Sequence, residues 1–395
     1  MLKNKNLRTY KNYERTIYQD KQTVEIKEVK TKKDLRKFAG FNEKMYRNVP
    51  QAMPDLISDE MANFNPKKNP AYSYAESRQW LAYKDGQCVG RIGAIISHKA
   101  NRKWKRKRIR FTRVDFIDDY EVSEALFQTV EEWGREKGLE EIHGPMGFCD
   151  LDQQGMLLEG FEYDGIFVTI HNAPYYKEHL ERLGYTKSVD WIENRISIPE
   201  KMSPVFEKMS ARVLEENNLR LIHLKNRIQL RKYIKDIFTV INDVEKDLYG
   251  EVDLTDEMIK KYVRQFILMV NVRYVALIVD ENNQMVGIGV TVPTLGPASK
   301  KSRGRLFPLG WVRMLYAPFS KPEVLELYLV GVLDKYKNKG LPAVLITKIM
   351  QSAVEDGMKY AETGPMLEDN IKVHSLWRRF DKIQHRRRRC WIKHL

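Results

Sequence analysis

Cysteine is scarce. Cys88, Cys149 and Cys390 are the only three in 395 residues, and none sits in a C-x-x-C pair. Three widely spaced thiols build neither a disulfide framework nor a zinc ribbon, and they fit a reducing compartment, so a cytoplasmic location is expected. Long apolar runs are missing too: a stretch such as 274–279 is far too short to span a bilayer. The first 22 residues carry Lys, Arg and Tyr but no apolar segment, which argues against a secretory signal and reads as a basic N-terminal extension, 1–22. The eight histidines show no H-x-H or H-E-x-x-H spacing, so no metal site is expected, and neither a G-x-S-x-G nor a Walker signature occurs.

What is present is an apolar fraction of 43% with 11% aromatics, enough to bury sizeable cores, in a chain long enough for two ordinary domains. The formal net charge is +15, which implies attraction to phosphate of some kind. Two runs carry much of the excess, KANRKWKRKRIR at 99–110 and HRRRR at 385–389. Charges so closely spaced read as extended, solvated surface. A nucleic-acid contact through these runs is the sharper alternative, but Trp104 is the only aromatic interleaved with them, which leaves stacking little to work with.

The chain repeats itself. Leu35-Arg36-Lys37-Phe38 answers Leu230-Arg231-Lys232-Tyr233, Gln87-x-Val89-Gly90 answers Gln284-x-Val286-Gly287, Asp118-x-Tyr120 answers Asp334-x-Tyr336, and Gly144-Pro145-Met146 answers Gly364-Pro365-Met366. The offsets are 230 − 35 = 195, 284 − 87 = 197, 334 − 118 = 216 and 364 − 144 = 220. Four anchors in one order, with offsets that only grow, mark a duplication. The one large jump places an insertion in the second half, within 293–321, whose start has the Pro, Gly and Lys content of a loop. Its apolar part, 306–319, reads as a slot lining or, preferably, a small core helix closing the halves together. Each half then predicts a strand, an amphipathic helix, a hairpin, a fourth strand, a helix ended by Gly138 or Gly357, a strand running into Gly-Pro-Met, a last helix and a last strand. The strand-helix-strand step predicts parallel pairing within an otherwise antiparallel sheet. The halves are expected at 23–198 and 205–395.

The most informative segment joins the fourth strand of the second half to its helix: Val332, Leu333, Asp334, Lys335, Tyr336, Lys337, Asn338, Lys339, Gly340, Leu341, Pro342. Backbone N–H groups at a helix start, with lysines beside them, make a diphosphate cradle; an ordinary basic turn is the plainer reading. The order of elements and this turn resemble the GNAT superfamily of acyl-CoA N-acyltransferases, whose signature there is R/Q-x-x-G-x-G/A. Lys337 takes the Arg/Gln place, Gly340 matches, and Pro342 stands where Gly or Ala is usual. The superfamily's N-x-x-A-x-x-L-Y motif resembles Asn370-x-x-Val373-x-x-Leu376-Trp377, with Trp377 in place of the tyrosine that protonates the leaving thiolate. In the first half, Tyr175 and Tyr176 resemble the same closing region. Residues 111–116, 144–148 and 155–161 are similar to a poorly described bacterial group of tandem GNAT-like proteins.

The resemblance implies an α/β (α+β) fold of two tandem GNAT-like domains, each a mixed, mostly antiparallel sheet flanked by helices. It implies acetyl-CoA or a longer acyl-CoA as co-substrate, held by Val332, Leu333, Lys337, Asn338, Lys339, Gly340, Leu341 and Asn370. The equivalent turn of the first half, Asp118-Asp119-Tyr120-Glu121, has no glycine and three carboxylates, so the first half is expected to be a degenerate copy. Catalytic candidates are Glu326, placed by period two on one face with Tyr328, Val330 and Val332, together with Tyr175 and Tyr176. The plainer reading of Glu326 is an edge or surface glutamate. The leading expectation is an acyl-CoA-dependent N-acyltransferase acting on an amine. The alternatives are a non-catalytic binding protein of the same fold and a nucleic-acid-associated protein.

Overall fold

The computed structural model describes residues 23–395 except 247, 251, 268, 321 and 322. The basic extension 1–22 therefore lies outside the described residues. Two compact units are present. The first comprises the described residues up to Trp191, with Ser299–Pro308 and Arg386–Leu395; the second comprises Ile192–Ala298 and Leu309–His385.

The first unit opens with β1 (Glu25–Glu28) and α1 (Lys32–Ala39). Thr31 and Asp34 start that helix by capping each other's backbone N–H groups. Two short helices follow, α2 (Phe41–Tyr46) and α3 (Ile57–Asn63). A hairpin, β2 (Ala75–Lys84) and β3 (Gln87–Ser97), turns at Asp85 and Gly86, both in the left-handed region as a two-residue hairpin turn needs. Then come α4 (His98–Trp104), β4 (Arg108–Phe116), α5 (Tyr120–Glu136), β5 (Glu141–Gly144), β6 (Met156–Glu159), α6 (Tyr176–Arg182) and β7 (Thr186–Ser197). The helix α5 packs on β2, β3 and β4, burying Val122, Leu126, Phe127 and Val130 against Ile92, Phe111 and Phe116.

The second half of the chain runs through α7 (Pro204–Glu216), β8 (Arg220–Ile222), α8 (Arg227–Lys232), α9 (Ile234–Glu245), α10 (Asp256–Phe266), β9 (Val275–Val279) and β10 (Met285–Pro293). Next come α11 (Gly296–Ser302), α12 (Gly310–Tyr316), β11 (Val324–Val332), α13 (Leu341–Glu355), β12 (Tyr360–Thr363), β13 (Met366–Leu367), α14 (Ile371–Ser375) and β14 (Lys382–His394). The helix α13 covers β9, β10 and β11 on one face and α9 covers β10 and β11. Three of the four repeat anchors occupy matching places. Leu35 and Leu230 lie on α1 and α8, Gly90 and Gly287 pair with the end of the fourth strand, and Asp118 and Asp334 follow that strand. The Gly-Pro-Met anchor is shifted: the third residue, Met146, donates back to Phe111 O at 3.0 Å in the first half, whereas the first residue, Gly364, donates to Leu327 O at 2.9 Å in the second.

Pairing is parallel at β4–β5 and β11–β12 and antiparallel elsewhere among the recorded pairs, as the strand-helix-strand step requires. The compact units are not the two continuous stretches 23–198 and 205–395. The last strand of the second half, β14, pairs with β5 of the first (Trp391 opposite Gly144), and Trp391 is buried in the first unit's core. The last strand of the first half, β7, pairs with β12 of the second (Ser197 opposite Tyr360), and Ile196 is buried in that core. Each sheet is closed by the other half's terminal strand. Neither the anchors nor the periodicity reports which of two similar edges a strand will choose.

The fourth strand of each half carries one extra residue. Between Arg91 and Gly93 on β3, β4 advances from Asp115 to Thr112, and between Val290 and Thr291 on β10, β11 advances from Leu329 to Leu327. Such a bulge reverses which face each later side chain meets. Ile109 and Phe111 face the core, then Val114 and Phe116; Leu325 and Leu327 face it, then Val330 and Val332. The matching positions differ by 325 − 109 = 332 − 116 = 216, the offset of the Asp118 and Asp334 anchor.

Three expectations change here. The basic run 99–110 is not a loop: it forms α4, a left-handed Lys105, and the start of β4, where Arg110 is buried and donates to Gly147 O at 2.8 Å. The run 385–389 is not solvated surface but interior strand. Arg386 and Arg388 are each 1% exposed, and Asp190 receives Arg387 at 3.0 Å and Arg389 at 2.8 Å. The apolar insertion 306–319 is helical in part, but its aromatic side chains are exposed, so it is not a core helix.

Candidate functional site

In the second unit β11 ends at Val332 and Leu333 begins the turn. A single 3-10 turn holds Asp334–Tyr336. Asn338 and Gly340 then both take left-handed backbone, at φ 71° and 77°. Gly340 is the N-cap of α13 and offers no side chain to its free N–H groups, and Pro342 follows in the first turn, where its missing N–H costs nothing. Leu341 is fully buried and anchors the helix start to the core. A Cβ on Gly340 would come within 3.3 Å of Val213 on α7, a tight contact added to a left-handed backbone that favours glycine. The lysines are partly committed. Lys337 and Lys246 both pair with Asp334, and these two hydrogen bonds pull its carboxyl down to about 2. Lys335 and Lys339 flank the Tyr336 ring at 4.8 and 5.0 Å from its centre. Asn370 does something else: it caps α14, accepting from Val373 N at 3.3 Å.

The equivalent turn of the first unit is chemically closed. Asp119 caps α5 by accepting from Glu121 N at 3.0 Å, and Lys84 bridges Asp119 at 2.7 Å and Glu121 at 3.2 Å. Asp118 lies 3.2 Å from His179 Nε2. The positive end of this helix is already met by the chain's own carboxylate.

The catalytic candidates belong to two clusters. Glu326 is 1% exposed, which corrects the edge reading, and the bulge at Tyr328 places it opposite the face of Val330 and Val332. The Tyr328 hydroxyl donates to Glu326 Oε2 at 2.7 Å; burial, then the Glu326 charge, push that phenol well above its ordinary range. Glu362 stands directly across on β12, also buried, and takes Arg195 at 2.6 Å and His385 Nε2. Two carboxylates, an arginine, a histidine and a phenol thus share one buried face of the second unit. The partner Trp377 is 3% exposed in the core, its indole N–H without a protein acceptor, so it presents no group to solvent.

Tyr175 and Tyr176 lie in the first unit. Tyr176 is fully buried and stacked on Phe116 at 4.1 Å. Its hydroxyl lies 2.8 Å from the Tyr46 hydroxyl and accepts from Phe116 N at 2.8 Å, and Tyr175 donates to Phe116 O at 2.6 Å. Both hydroxyls pin the end of the fourth strand. Beside them runs a buried ionic network that the sequence reading missed. Arg91 pairs with Asp115 at 2.8 Å, Asn42 donates to both Asp115 oxygens, and Arg113 grips Glu60 through two bonds of 2.9 Å and also pairs with Asp152. Asp55 adjoins the network, with Gln153 donating to it; burial, then the Glu60 charge, raise its carboxyl to about 7. His171 is driven down to about 3 by burial, then by Arg388, Lys300 and Arg386. The signal was available: Arg113 and Asp115 interrupt an otherwise apolar strand between Phe111 and Phe116. Among the described residues no group of three or more His, Cys, Asp or Glu side chains is arranged to hold a metal ion. Nor is any described helix long and apolar enough to cross a membrane.

Two halves of one topology, each with a bulged fourth strand, a turn and a helix across the sheet, define the tandem GNAT fold. Among solved structures, a tandem GNAT protein from the clavulanic acid biosynthesis pathway covers 94% of the chain and 98% of its own at a TM-score of 0.54 and 12% identity. Among curated relatives, protein YghO of Escherichia coli (strain K12) is 26% identical over 92% of the chain and 94% of its own length. A bacterial ceramide synthase of Caulobacter vibrioides (strain NA1000 / CB15N) is 23% identical over 87% and 90%. No family model matches the chain.

Proposed function

We propose that the protein is an acyl-CoA-dependent N-acyltransferase, and that the donor's diphosphate is held at Lys337, Asn338, Lys339, Gly340 and Leu341 in the second unit. The observation that carries this is the contrast between two matched helix starts, one left uncapped by Gly340 with lysines beside it, the other closed by Asp119 and Lys84. Bound acyl-CoA supplies the thioester; the chain's residues position it. Val332 and Leu333 lead from the turn back along β11 to Glu326, six residues away, or roughly 20 Å of strand, a span that an extended pantetheine arm covers. At that end the Glu326 carboxylate, oriented by the hydrogen bond from Tyr328, takes the proton that an attacking amine gives up. Orientation and backbone polarisation of the carbonyl carry most of such a reaction. The likeness to a bacterial ceramide synthase favours a long-chain lipid amine as acceptor, since a ceramide is the fatty amide of a long-chain amino alcohol. A second reading, a non-catalytic binding protein, is favoured by Trp377, which is buried where a tyrosine acid would be wanted.

Titration calorimetry with coenzyme A tests the donor site. Gly340→Asp adds a side chain at φ 77° and a like charge beside phosphate, worth on the order of 4 kcal/mol per close pair at an effective dielectric of about 20. Affinity should fall at least a hundredfold, while the paired control Tyr120→Ala with Glu121→Ala in the first unit should bind as wild type does. Equal affinity of wild type and Gly340→Asp removes the donor from this turn; no binding by wild type favours the second reading.

A further inference from the structure

The segment between β10 and β11 is longer than its counterpart in the first half, and its stretch from Leu309 to Phe319 takes no part in the turn. From 282 to 322 the chain has no acidic residue, while Lys300, Lys301, Arg303, Arg305 and Arg313 all fall there. Within it, α12 and the 3-10 turn Ala317–Phe319 bury Gly310, Met314 and Ala317, a stripe at i, i+4 and i+7. Apart from Arg313, the large side chains on the remaining surface are apolar yet face outward: Leu309 is 57% exposed, Trp311 46%, Tyr316 70% and Phe319 57%. A helix normally gives its other face to polar residues, and a contiguous group of exposed large apolar side chains marks a surface that something else covers.

We propose that this face docks onto an anionic lipid surface. Trp311 and Tyr316 are the residue types that settle at headgroup level, Leu309 and Phe319 suit the acyl boundary below, and Arg313 on the same helix, with Arg227 over the Phe319 ring at 5.1 Å, attracts acidic headgroups. A second copy of the chain, or the basic 1–22 segment, would bring positive charge against positive charge. A nucleic acid would leave Leu309 and Phe319 without apolar partners. Docking is independent of the acyl-transfer reading: it is measured with no acyl donor present, so either can fail alone.

The test is cosedimentation of the full chain with phosphatidylcholine vesicles, with and without phosphatidylglycerol, alongside gel filtration with light scattering. Wild type should sediment with the anionic vesicles and stay in solution with the neutral ones. Leu309→Ser with Trp311→Ser and Phe319→Ser should weaken vesicle binding at least about tenfold, or ~1.4 kcal/mol, with the melting temperature kept. Arg313→Glu leaves Leu309, Trp311, Tyr316 and Phe319 in place, and should weaken anionic binding comparably should the first variant fold poorly. Failure of wild type to sediment overturns the proposal, and so does undiminished sedimentation of both variants, which would shift the contact to α4. A wild-type dimer that the serine variant turns into a monomer assigns the face to a second copy. Polynucleotide binding that both variants lose while vesicle binding persists assigns it to nucleic acid.

Discussion

Asp55 is the residue whose chemistry is furthest from ordinary and still within reach of experiment. Its carboxyl is raised to about 7 by burial and by Glu60, against an unfolded value near 3.9. The folded chain therefore holds a proton here that the unfolded chain has given up between those two values, so stability falls as pH rises from about 4 to 7 and then levels off. Asp55→Asn keeps an acceptor for Gln153 and removes the titration. Its melting temperature should exceed wild type at pH 8, and the gap should close by pH 5. A gap of the same size at both values would show that Asp55 is ionised throughout. Arg113 makes the matching point about polar burial. Its side chain is 2% exposed and held by Glu60 and Asp152, so its charge is a fixed part of the first unit's interior and not a surface feature.

At the scale of elements, the two basic runs look alike in sequence and behave oppositely. In α4 and the turn after it, Arg102, Lys103, Trp104, Lys105, Arg106 and Lys107 are exposed. Replacing Lys103, Lys105, Arg106 and Lys107 by Ser should move the melting temperature by no more than the scatter of surface substitutions, about 0.5 kcal/mol each. In β14, Arg388 is buried and donates to Ile170 O at 2.5 Å, so Arg388→Ser strands a buried carbonyl and opens a cavity; it should cost several-fold more than the four surface changes together, read in the same thermal melts. Charge density along the chain reports only that arginines are adjacent; whether a strand carries them inward depends on partners such as Asp190, distant in sequence. The hairpins, the helix ends at Gly138 and Gly357 and the turn before α13 were legible because glycine, capping residues and period are local. The reversal of face at Tyr328 was not. One extra residue in a strand changes no composition, and it set Glu326 on the face opposite Val330 and Val332, while pairing of β11 on both sides made it interior.

For the whole molecule, the duplication is visible in four anchors, but the exchange of terminal strands is not, since β7 and β14 satisfy either sheet edge equally well on paper. The exchange predicts how fragments behave. A chain cut after His385 lacks the strand that puts Trp391 and Cys390 in buried positions, and β5 is left as a bare edge. The damage should therefore appear far from the cut, in the first unit. Hydrogen exchange of that shortened chain should show lost protection in β4, β5 and α5, with α13 and β9 to β11 better preserved. Protection lost only in the second unit would show that the exchange is not maintained in solution.

The same swap sets an order of events during synthesis. The residues of β14 emerge after everything else in both halves, so the first unit, although made first, waits for the second to be translated before its sheet can close. Until then β5 offers an open strand edge on a nascent chain, the kind of surface that chaperones hold. Two copies of an ancestral domain joined in this way can no longer be pulled apart by recombination without breaking both.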